Sequence, residues 1–117
     1  MLISLLKSKL HMAVITTAEV EYEGSIAIDP DLIKATGLYL GEKVAVLNFD
    51  NGNRFETYVI LGEKGEIGLR GPAAKLGKIG ERVIILSYAL FSKEEAESHH
   101  PQVAILNSDN SIKELKN

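Results

Sequence analysis

The chain has 117 residues, 45% of them apolar and 25% charged, which fits one globular domain and leaves no room for two independent cores. The absence of cysteine excludes a disulfide framework, thiolate metal sites and a cysteine nucleophile, and suits a reducing, cytoplasmic setting. A net charge of -3, with 13 cations dispersed among 16 acids, argues against a nonspecific nucleic-acid footprint, because phosphate neutralisation needs clustered Lys and Arg.

The N-terminal stretch MLISLLKSKLHMAV begins apolar, but Lys7, Lys9 and His11 interrupt it, so neither a signal peptide nor a membrane span is expected. Residues 11–20, HMAVITTAEV, are β-branched and small and predict a strand, followed after Gly24-Ser25 by a short strand over 25–28. Asp29 as N-cap, Pro30 at the first helical position and Gly37 as C-cap predict two turns of helix. Residues 43–49 and 54–61 predict two strands joined by Asp50-Asn51-Gly52-Asn53, a hairpin signal because Asn-Gly tolerates positive φ.

A glycine-rich region then predicts short strands, turns and close backbone approaches. Residues 82–91, RVIILSYALF, form the most apolar run and predict a central strand; Ser92 and Glu95 make a capping box that opens a short helix, ended by Pro101. One more strand is expected over 102–106, and 107–117 reads as a polar, flexible tail. The sum is an all-β body over 1–106 with six or seven strands and small helices, which favours a barrel over a sandwich.

No Walker loop, HExxH, GxSxG or dinucleotide fingerprint is present, so the commonest nucleotide, zinc and triad chemistries lack their anchors. His99-His100 reads as solvated surface at a helix end, and no metal site is assigned. Gly24-Ser25 has two readings. Taken alone, it is a turn, since both residues are common turn formers. Alternatively, the serine hydroxyl attacks the preceding carbonyl, which a glycine leaves unshielded. An N-to-O acyl shift then gives an ester, and elimination across the serine Cα–Cβ bond cuts the chain. The dehydroalanine left behind hydrolyses to a pyruvoyl group, a built-in ketone able to form a Schiff base with an amine and act as an electron sink.

Lys9-Leu10-His11, Tyr22-Glu23-Gly24-Ser25, Ile28-Asp29, Asn51-Gly52, Arg54-Phe55 and Thr57-Tyr58, in this order and spacing, resemble the pyruvoyl-dependent aspartate 1-decarboxylase family over nearly the whole chain. The resemblance implies a six-stranded double-psi β-barrel with small capping helices, a homotetramer, and self-cleavage between Gly24 and Ser25 into chains 1–24 and 25–117. It also implies conversion of L-aspartate to β-alanine for pantothenate synthesis, with no metal and no pyridoxal phosphate. Carried over by position, Ser25 becomes the pyruvoyl group and Tyr58 the proton donor. Thr57 binds the Gly24 carbonyl during cleavage and later contacts substrate. Lys9 and Arg54 face the two carboxylates of aspartate, a task suited to arginine's planar fork.

The chain departs from the family's Asn-Gly-Ala-Ala-Ala: it reads Arg70-Gly71-Pro72-Ala73-Ala74. Substrate binding is carried onto Gly71, Pro72 and Ala73, and cleavage is expected to proceed without the amide's help. Strict alternation puts Arg54 and Tyr58 on one strand face and Thr57 on the other, a conflict eased by a bent strand or a site between subunits. Residues 28–44 also resemble the swapped-hairpin β modules of small transcription regulators. That alternative predicts a DNA-binding dimer, but it explains nothing upstream of Ile28 and gives Thr57-Tyr58 no task.

Overall fold

The computed structural model describes residues 1–117. Its longest strand is β1 (Leu2–Val14), which runs antiparallel to β7 (Arg82–Ser92) and parallel to β8 (Gln102–Leu106). Register shifts at Leu6/Ser8 and Leu10/Ala13, with Met12 at a φ of 63°, mark irregularities that bend this strand around the core. The strand expected over 11–20 is therefore two. β1 ends at Val14, Ile15 and Thr16 turn away to donate to Glu81 O and Ile67 O, and β2 (Thr17–Glu19) begins beyond them.

The remaining strands are β3 (Ser25–Ile28), β4 (Lys43–Asn48), β5 (Arg54–Leu61), β6 (Ile67–Arg70) and β9 (Ile112–Lys116). They follow the order β2-β6-β3-β5-β4-β7-β1-β8-β9, with parallel pairs β1/β8, β2/β6 and β3/β5 set among antiparallel ones. The all-β reading holds, with nine strands in place of six. Leu10, Ile26, Ile28, Val46, Val59, Leu69 and Ile85 lie at the centre of one apolar cluster. Every one of them comes from a strand, so the sheet curls around its own side chains.

Local signals set the small helices. α1 (Pro30–Thr36) starts where the Asp29 carboxylate accepts from Asp31 N, and ends at Gly37, whose φ of 70° carries the left-handed cap. α2 (Lys93–Ser98) opens on the reciprocal Ser92–Glu95 box. In the β4–β5 hairpin only Gly52 takes positive φ, at 80°.

The expected flexible tail is instead ordered. Residues 107–110 turn, and the chain returns as β9 along β8. The cause is Asn110, buried and in the left-handed region. Its Oδ1 accepts from Val14 N at 2.7 Å, and its Nδ2 donates to Val14 O and Gly65 O at 2.9 Å each. One amide thus ties the C-terminal turn to β1 and to the loop before β6. Asn110→Ala leaves those three backbone groups unpaired and is expected to cost about 2–3 kcal/mol, read as a lowered urea midpoint.

Candidate active site

β3 is fixed by both neighbours. It pairs antiparallel with β6, Ser25 opposite Arg70, and parallel with β5 in the register Ile26↔Val59, Ala27↔Ile60, Ile28↔Leu61. Stepping this parallel register back sets Ser25 beside Tyr58 and Gly24 beside Thr57. The pairing stops there, because the chain leaves the sheet at Gly24. β5 between Arg54 and Tyr58 is therefore bonded to β4 on one side and open on the other.

That open edge borders the candidate site. A cleft of about 350 Å³ is lined by Gly24, Thr57, Tyr58, Pro72 and Ala73. The conflict raised by strand alternation disappears, since a cleft along a strand's edge takes side chains from both faces. Ser25, the residue after Gly24, is 3% exposed, and the only hydrogen bond of its hydroxyl is a long one, Oγ to Glu23 O at 3.4 Å. The hydroxyl thus has no strong competing partner. No hydrogen bond joins Thr57 to Gly24, although the two share the cleft.

The far wall is a single helical turn, Gly71–Lys75. Its end is held by the β4–β5 hairpin, where the amides of Asn48, Asn51 and Asn53 all donate to Leu76 O at 3.1–3.3 Å. Gly71 has a φ of 67°, and a Cβ there would lie 2.6 Å from Tyr22 O and 2.8 Å from Gly24 N. The backbone of Gly71 is pressed against the Gly24 segment, a close approach only glycine permits. Gly71→Ala is expected to push that segment outward and to cost about 1–3 kcal/mol, read as a lowered urea midpoint.

Lys9 and Arg54 are not brought to this cleft within one chain. Lys9 lies on β1, separated from β5 by β7 and β4. Arg54 is exposed at the start of β5, opposite Leu47. Neither forms an ion pair, whereas Lys7, Lys43, Arg70 and Arg82 all do.

The aspartate decarboxylase family model matches residues 1–113. This chain belongs to the aspartate decarboxylase family. It is similar to the aspartate 1-decarboxylase of Desulfotalea psychrophila, with 50% identity over 117 residues that cover 98% of each chain. It is also similar to that of Bdellovibrio bacteriovorus, at 51% over 114 residues, covering 97% of this chain and 92% of the other. A third relative, the aspartate 1-decarboxylase of Caldicellulosiruptor bescii, is 49% identical over 117 residues, covering 98% of this chain and 91% of its own.

Within this aspartate decarboxylase fold Arg70 is not free. It donates through Nη1 to Thr17 Oγ1 and through Nη2 to Glu66 Oε2, both at 2.9 Å, and lies over the Tyr22 ring with Cζ 5.4 Å from the centroid. Burial alone would raise the Glu66 pKa. Hydrogen bonds from Glu63 N, the Thr17 hydroxyl and Arg70 outweigh it and hold the carboxyl below its usual range.

Sequence reading missed three wall residues, Phe55, Glu56 and Leu76. The signal available was their neighbourhood: Phe55 and Glu56 immediately precede Thr57-Tyr58 on the same open edge. His99, expected to be solvated, is half-buried instead. Its Nε2 lies 2.6 Å from Leu6 O and its ring 4.1 Å from that of Phe91, a structural contact. No three His, Asp or Glu side chains converge in a geometry that could hold a metal ion, and no helix is long and apolar enough to cross a membrane.

Proposed function

We propose that this protein cuts itself between Gly24 and Ser25 and then converts L-aspartate to β-alanine and carbon dioxide, the supply reaction for pantothenate synthesis. The observation that carries the proposal is the end of the β3–β5 register, which sets a glycine-serine bond beside Thr57-Tyr58 at the head of a cleft. In the cut, Ser25 Oγ bonds to the Gly24 carbonyl carbon while the C–N bond breaks. Loss of the ester by elimination releases residues 1–24 with a new carboxylate, and hydrolysis of the dehydroalanine gives a pyruvoyl group and ammonia.

The surroundings fit such a group. It would be seated at a buried strand end, next to the Gly24 segment that lines the cleft and that the Gly71 backbone approaches too closely for any side chain to fit between. Such a group would supply a ketone able to condense with the substrate's amine and to act as an electron sink for decarboxylation. The chain's own residues do the rest. Thr57 holds the Gly24 carbonyl for the cut and then the substrate, Tyr58 delivers a proton to the substrate carbon that has lost its carboxylate, and the backbone of Gly71, Pro72 and Ala73 lines the pocket.

Lys9 and Arg54 supply the cationic partners for the two carboxylates. Because they stand away from the cleft in one chain and carry no internal ion pair, this reading has them act in a crevice between copies of a homotetramer. The swapped-hairpin DNA-binding reading is set aside, since the family match extends through the residues upstream of Ile28 that it leaves unused.

Intact mass of the incubated protein, with β-alanine production from aspartate, tests the proposal. Two chains of 24 and 93 residues (117 − 24), the larger with a blocked terminus, are expected. One uncut, inactive chain overturns it.

A further inference from the structure

On the reading that the Gly24–Ser25 bond cuts itself, we infer that Arg70 is a positioning residue that holds the scissile segment in place through Tyr22. Residues 20–24 make no backbone–backbone hydrogen bond, and the only hydrogen bond to this segment is the long one from Ser25 Oγ to Glu23 O. A bond that must meet a nucleophile from its own chain needs a fixed approach, and a loosely tethered segment wastes that advantage. Something other than hydrogen bonding has to hold this one.

The Arg70 guanidinium is suited to the task because it is itself immobile. It is held by Thr17 on β2 and by Glu66, and Thr17 Oγ1 donates to Glu66 Oε2 at 2.8 Å, which closes a three-membered polar ring. Glu66 is anchored in turn. Its Oε1 accepts from Glu63 N at 2.9 Å, and its carbonyl accepts from Asp29 N at 3.0 Å. Gly68 provides the space: a Cβ there would sit 2.8 Å from Nη1 and 2.9 Å from Glu66 Oε2.

The outer face of this fixed plane carries Tyr22, a 60% exposed ring two residues before Gly24. A cation held over an aromatic ring, its Cζ 5.4 Å from the centroid, is a contact an arginine makes readily and a neutral amide does not. Because Nη1 and Nη2 are both engaged with Thr17 and Glu66, Arg70 acts through the position of Tyr22.

The test follows the fraction of uncut chain over time by intact mass. A wild-type protein that never cuts removes the pyruvoyl reading itself, whatever Arg70 does. With wild-type cutting established, Tyr22→Leu, at an exposed position, is expected to slow it about two- to fivefold, and Tyr22→Phe to leave it unchanged. Arg70→Met combined with Glu66→Gln removes both charges together, so no unpaired carboxylate is left half-buried. It is expected to slow cutting about as much, and adding Tyr22→Leu to it to slow cutting no further. Turnover per cut chain should be unchanged in all of them, a separation that a general loss of structure would not give. Wild-type cutting rates in Tyr22→Leu or in the Arg70→Met/Glu66→Gln variant, or effects that simply multiply, would overturn the inference.

Discussion

Ser25→Ala is expected to yield one uncut 117-residue chain that folds normally and turns over no aspartate. The fold should tolerate the change because the Ser25 hydroxyl is buried with only a 3.4 Å contact to Glu23 O, so its removal strands no well-bonded partner. Alanine fits an extended strand end, and the unfolding midpoint should move by less than about 1 kcal/mol equivalent. Chemistry should respond in full, since on the proposed mechanism both the nucleophile for the cut and the precursor of the ketone are lost in one atom. Intact mass, urea unfolding and aspartate turnover on one preparation separate these effects. A cut chain, or an active one, would show that the Ser25 hydroxyl is not the source of the reactive group.

What could be read from the sequence divides by the distance over which the deciding interactions act. α1 was legible because its signals lie within a few residues of each other: the Asp29 carboxylate bonds two residues ahead, and Gly37 caps the same helix. The capping box of Ser92 and Glu95 and the β4–β5 turn are local in the same sense. The polar C-terminal segment was not legible, because its order depends on Asn110 meeting Val14, 96 positions away. The break after Val14 likewise depends on Ile67 and Glu81 drawing Ile15 and Thr16 out of line.

The candidate site shows the same division. Gly24, Ser25, Thr57 and Tyr58 could be named as residues, but strand alternation placed Thr57 and Tyr58 on opposite faces. Only the β3–β5 register shows that the cleft follows an open edge, where that opposition does not matter. Arg70 was visible as a departure from the family pattern. Its role was hidden because Thr17 and Tyr22, 53 and 48 positions away, decide where its guanidinium lies.

Tyr58→Phe is expected to separate maturation from turnover. The Tyr58 side chain is 40% exposed on the open edge of β5, and its hydroxyl is engaged in no hydrogen bond within the chain, so phenylalanine keeps the ring and its packing without leaving a partner stranded. On the proposed mechanism the cut at Gly24-Ser25 draws on the serine hydroxyl, the glycine carbonyl and Thr57, and it should run at close to the wild-type rate. Turnover requires a proton at the carbon that carbon dioxide leaves, and loss of a positioned acid typically costs about 10²–10⁴-fold. The loss should fall on kcat with KM little changed, because the hydroxyl acts after the substrate is bound. Fully cut Tyr58→Phe protein with turnover within about threefold of wild type would move the proton donor elsewhere in the cleft, since a threefold effect is far below what a general acid contributes.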